Sequence, residues 1–173
     1  MIVKLTLGRW RFTFSMAPIT KVIGINSNLP DGKHILMWDF DTGTIDEMLH
    51  YLNNIQYRYK LPMIRIARTG KKHGYHAICL KRLEWRKVVE ILAATQGLDW
   101  TYFKYGIYRG HFTLRISPKC FRRISYHSKL FGYGTEDVSP NELTSMVQYE
   151  TLQNGWKSRK IELKIFPKGK ETQ

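Results

Sequence analysis

The chain has 173 residues, 43% of them apolar, and carries 28 Lys and Arg against 14 Asp and Glu, a formal charge of +14. That length is enough for one domain with a real core, and no run of 18 uncharged apolar residues offers a transmembrane helix. Two cysteines, Cys79 and Cys120, make neither a disulfide framework nor a zinc site. The N-terminal stretch lacks the apolar segment and small-residue cleavage site of a secretory signal, so an intracellular compartment, cytoplasm or nucleoid, is expected. The positive surplus favours a polyanion, with nucleic acid first, over a bare solvated surface. Aromatics sit beside basic residues in Trp10-Arg11-Phe12 and Tyr57-Arg58-Tyr59-Lys60, a mixture that suits phosphate contact combined with base stacking.

In chain order, alternation of Val3, Leu5 and Leu7, then Trp10, Phe12 and Phe14, predicts a β-hairpin over the first 15 residues. Residues 26–32 have loop chemistry and 34–41 read as a strand. Thr44 and Glu47 form a capping box, and Ile45, Met48, Leu49, Leu52 and Ile55 follow at helical spacing until Pro62. Residues 63–68 and 75–80 read as strands joined by the glycine-flanked turn 69–74. A second helix is expected over 84–96, stopped by Gly97, and a strand over 111–117. Ser139-Pro140-Asn141-Glu142 predicts a helix ending near Asn154-Gly155. Ile161, Leu163 and Ile165 predict a last strand, and 168–173 a frayed polar tail.

The fold class is therefore α+β, with a β-α-β-β-α-β order like that of an RNA-recognition motif and both helices on one sheet face. The N-terminal hairpin and the C-terminal helix and strand are additions to that core, and the whole chain reads as a single domain. Alternation puts Trp38 and Phe40 toward the helices and projects Asp39 and Asp41 from the opposite face. Two carboxylates so close resist ionising together unless a cation lies between them, and a hard divalent ion takes such oxygen ligands. The same face is expected to carry Arg65, His76 and Arg115, while two solvated aspartates at a strand end are the plainer reading.

At about residues 34–120 the chain resembles the archaeo-eukaryotic primases and primase-polymerases. Asp39-Phe40-Asp41 resembles their Asp-x-Asp strand, and Thr69 to His76 resembles the glycine turn that leads to a histidine. Leu98-Asp99 resembles the later hydrophobic-Asp, and 114–119 the basic segment after it. The resemblance implies a primase or polymerase, a template-directed nucleotidyltransferase, acting in DNA replication. It implies Asp39, Asp41 and Asp99 as catalytic residues and ligands of two Mg2+ or Mn2+ ions about 3.5–4 Å apart. It further implies that His76, Arg115, Ser117 and Lys119 bind the nucleoside triphosphate. Arg65, Arg68, Lys71 and Lys72 are expected to hold single-stranded or primed DNA, with RNA as a second possibility. A helicase or other replication protein is the expected partner, and no membrane is involved. Asp137 is a rival third carboxylate, and Asp99 reads equally as a helix-terminus aspartate.

Two other readings stay open. A non-catalytic nucleic-acid-binding module of the same topology would stack bases on sheet aromatics. A rolling-circle nickase would use a helical tyrosine such as Tyr149, but the chain has no His-x-His pair.

Overall fold

A computed structural model describes residues 2–15, 19–70, 74–118, 123–152 and 160–165. In chain order the elements are β1 (Ile2–Leu7), β2 (Trp10–Ser15), β3 (Ile19–Asn26), β4 (His34–Phe40), α1 (Ile45–Tyr59), β5 (Ile64–Arg68) and β6 (Tyr75–Leu83). Then come α2 (Trp85–Ala93), α3 (Trp100–Arg109), β7 (Thr113–Arg115), β8 (Ser125–Leu130), a 3₁₀ turn (Pro140–Glu142), β9 (Met146–Leu152) and β10 (Lys160–Ile165). The chain is α+β and divides into two units, residues 1–21 with 150–173, and residues 22–149.

The larger unit is built on the antiparallel sheet β4-β6-β5-β8. Residues paired across neighbouring strands share a face, so the register sorts the side chains. Trp38 pairs with Ala77, and Ala77 with Ile66; all three are buried on the side where the helices lie. Trp38 there donates its indole N–H to Thr95 Oγ1, 3.0 Å away, just after α2. Helix α1 begins at the Thr44–Glu47 capping box, buries Met48, Leu52 and Ile55, and ends with Lys60 in the left-handed conformation at φ 51°. These features follow the sequence expectation.

Four elements do not. The strand near 111–117 is β7, but it hydrogen-bonds to β3 within the sheet β7-β3-β9 and not to β4. The expected sheet is thus present for its first three strands, in the order β4-β6-β5, and β8 supplies the fourth. Strand β3 explains this outcome, because it offers β7 an antiparallel partner. The expected second helix stops at Ala93, and a further helix, α3, starts at Trp100 with Asp99 as its cap. The Ser139 cap is real, with Glu142 accepting from the Ser139 N–H, yet it supports one 3₁₀ turn and no helix. Alternation from Met146 onward then favours a strand, and Asn26 N–H donates to Ser145 O at 2.8 Å beside the β3-β9 ladder. Tyr149 therefore lies on a strand, not on a helix.

The smaller unit is the sheet β10-β1-β2, with the expected hairpin and β10 parallel to β1. Val3 pairs with Phe14 and Ile161, Leu5 with Phe12 and Leu163, and Leu7 with Trp10 and Ile165. One face of the β1-β2 hairpin is therefore apolar, and Lys4 and Arg11 fall on the other. The aromatic and basic residues of Trp10-Arg11-Phe12 are divided between opposite faces.

Candidate functional site

Five of the seven residues of β4 are buried in succession from His34 to Trp38, and Phe40 is buried as well. Asp39 is the half-buried exception. Its face is not bare, because Met37, two residues earlier on the same side, is buried and Tyr102 from α3 donates its hydroxyl to Met37 O at 3.0 Å. Asp39 pairs across the ladder with His76, and His76 with Ala67. The His76 imidazole Nε2 stands 3.5 Å from Asp39 Oδ1, and His76 is only 7% exposed. Asp41 follows one residue after the strand end, half-buried, just before the Thr44 cap.

Asp99, sixty residues on, comes to the same place through the backbone. Its N–H donates to the carbonyl of Asp39 at 2.9 Å. Its carboxylate caps α3, accepting the Tyr102 N–H at 2.5 Å. Asp99 is thus a helix cap, as one of its two readings has it, and it also lines a cleft with Asp39. That cleft encloses about 250 Å³ and takes Tyr105, Arg109, His111 and Thr113 as further walls. Burial, and then the charge of Asp39, push the Tyr102 phenol well above its ordinary range.

His76 also faces a second cleft of about 190 Å³, lined by Arg65, Ala67, Ile78, Arg115 and Tyr126 among others. The Asp39–His76 pair therefore stands between a cleft of mixed lining and a mostly apolar one. Arg115 donates to Ser117 O at 2.7 Å and Thr69 O at 3.3 Å, and the Ser117 hydroxyl accepts the Ile23 N–H at 2.8 Å. Arg65 forms a two-point ion pair with Glu136, one arm at 2.7 Å. Those hydrogen bonds to Glu136 raise its basicity and neutralise its charge locally. Arg68 pairs with Tyr75 and so falls on the opposite face from Arg65. Lys71, Lys72 and Lys119 lie outside the described residues.

Asp137 is engaged elsewhere: it accepts from Lys81 Nζ and the Arg82 N–H, each at 2.6 Å, five and six residues along β6 from His76. Among the described residues no three His, Cys, Asp or Glu groups come together as a cation site. The oxygen donors Asp39, Asp41 and Asp99 suit a hard divalent ion in kind, and the cap of α3 uses Oδ1 of Asp99. Cys79 lies buried on the helix side, its thiol pushed up to about 12 chiefly by burial, so it is not a nucleophile.

Sequence reasoning missed Tyr102, Tyr105 and Arg109. The available signal was Asp99 as an N-cap followed by Tyr102, Phe103 and Gly106 at helical spacing, masked by the stop at Gly97. No family model matches the chain, and no curated protein or solved structure matches it.

Proposed function

We propose that this protein is a nucleotidyltransferase of the primase-polymerase kind, acting on single-stranded or primed DNA, with Asp39 at the centre of its site. The observation that supports this reading best is the meeting of Asp39, His76 and Asp99. These residues come from three separate stretches of sequence, each singled out for the same chemistry, and they adjoin at one end of β4. Nucleotidyl transfer asks a protein mainly to position groups and stabilise charge. His76 and Arg115, on the neighbouring cleft, are the groups that would orient a nucleoside triphosphate, and the +14 charge would hold the strand. A divalent ion, Mg2+ or Mn2+, would supply charge stabilisation at the leaving phosphate and activation of the attacking hydroxyl. Asp39, Asp41 and Asp99 are the residues that would hold it.

The test is extension of a primed template, and synthesis on an unprimed one, with ribo- and deoxynucleotides and either ion. Wild type should make product and Asp39→Ala should make none. Equal product from both, or none from wild type with a helicase supplied, removes the enzymatic reading. A second reading then takes its place, since the +14 charge suits nucleic acid whether or not a metal is held. On that reading the chain is a non-catalytic nucleic-acid-binding module.

A further inference from the structure

We propose that the outer face of α3 is a stacking track that leads a single nucleic-acid strand into the Asp39 cleft. The proposal rests on the nucleic-acid reading above and assigns that strand a place. Helix α3 has three faces. Phe103 and Gly106 point inward onto Phe112; a Cβ on Gly106 would meet that ring at 2.1 Å, so the helix is pressed hard against the core. Tyr105 and Arg109 line the cleft that holds Asp39. Trp100, Lys104, Ile107 and Tyr108, at spacings of four, three and one, look outward.

That outward face is costly to leave in water. Trp100 is 64% exposed and Tyr108 89%, and Tyr105, on the adjoining cleft face, is 56% exposed. Single exposed aromatics are ordinary, but three on one ten-residue helix form a patch that marks an interaction site. The patch is also preorganised. Trp100 stacks on Phe103, with centroids 5.4 Å apart and planes at 22°, and Phe103 stacks in turn on the buried Phe112. One face of the indole is thereby fixed and the rest is presented to solvent. The Arg109 guanidinium lies 5.5 Å over the Tyr105 ring.

Chemistry selects the occupant. No residue of α3 is acidic, and Lys104 and Arg109 accompany the rings, so the face suits an anion with planar apolar parts. Unpaired bases on a phosphate backbone meet that description, whereas duplex bases are already stacked on one another. Continuity with the cleft gives the strand a destination, since Tyr105 and Arg109 border both the track and Asp39.

The experiment measures anisotropy of a labelled oligothymidylate and of a hairpin duplex, with wild type, Tyr108→Ala, Tyr108→Phe and the double variant Trp100→Ala with Tyr108→Ala. Tyr108 is so exposed that its replacement leaves folding intact. The expected result is single-strand affinity about five-fold or more weaker for Tyr108→Ala, weaker still for the double variant, and restored by Tyr108→Phe. If wild type binds the strand and Tyr108→Ala binds it equally, the track is overturned while the nucleic-acid reading stands. If wild type binds neither oligonucleotide at low salt, that reading falls and the track with it. Unchanged oligonucleotide affinity with altered sedimentation of Tyr108→Ala alone assigns the face to a protein contact and also overturns the proposal.

Discussion

Asp39 is the residue on which chemistry and architecture meet. Its backbone carbonyl accepts from Asp99, its carboxylate faces His76, and its charge acts on the buried Tyr102 phenol. Replacing it with Ala should abolish nucleotide transfer while changing oligonucleotide affinity by no more than a few-fold. Removing a negative charge does not weaken a basic surface's hold on phosphate, and filter binding beside an extension assay reads both effects. Tyr102→Phe should cost about 1 kcal/mol of stability in urea melts, from the lost hydrogen bond to Met37 O. In wild type the raised phenol also sets a direction with pH. The unfolded phenol loses its proton first, so this contribution is complete below about pH 10 and falls as pH rises toward the folded value. The Asp39–His76 proximity was legible in sequence, because alternation fixes which side chains share a sheet face. Tyr102 was not, since its role depends on α3, a helix that the sequence reading did not separate from the stretch after Gly97.

At the scale of elements, the cap at Thr44 and the cap at Ser139 teach opposite lessons. Both capping boxes form, yet one opens the 15-residue α1 and the other a single 3₁₀ turn. The difference lies downstream: Met48, Leu52 and Ile55 carry a helical period into the core, whereas Met146 onward alternates and meets β3. Local cap chemistry nominates a helix, and burial of its face decides whether it continues. Strand β8 was invisible for the reverse reason, since its polar run Ser-Tyr-His-Ser-Lys-Leu becomes a strand through pairing with β5. Helix α3 depends on Gly106, where a methyl group would collide with Phe112. Gly106→Ala should lower stability by about 1–3 kcal/mol through overpacking. A shift of the denaturant midpoint at unchanged slope checks this; an unchanged midpoint would mean that α3 does not press on the core.

At the scale of the whole molecule, the net charge of +14 governs binding and the carboxylates govern acid stability. Oligonucleotide affinity should fall steeply and linearly in log–log form as salt rises, and a flat titration would contradict a phosphate-bound mode. Asp31 is held below its ordinary range by the Lys33 N–H and by Arg82, and Glu142 by the Ser139 N–H and Arg82. Burial pulls Asp137 up, but Lys81 and the Arg82 N–H outweigh it. All three are lowered, so the unfolded chain takes up protons first as pH falls. Their contribution is present above about pH 4 and is lost on acidification through the lowered values, which thermal melts from pH 6 to 3 would follow.

The central claim is that Asp39 anchors a metal-assisted nucleotide site, and a crystal grown with Mn2+ and a non-hydrolysable nucleoside triphosphate tests it most directly. An anomalous manganese peak is expected on the Asp39 carboxylate, shared with Asp41 or Asp99, with the triphosphate reaching His76 and Arg115. Manganese or triphosphate bound away from Asp39 would contradict it.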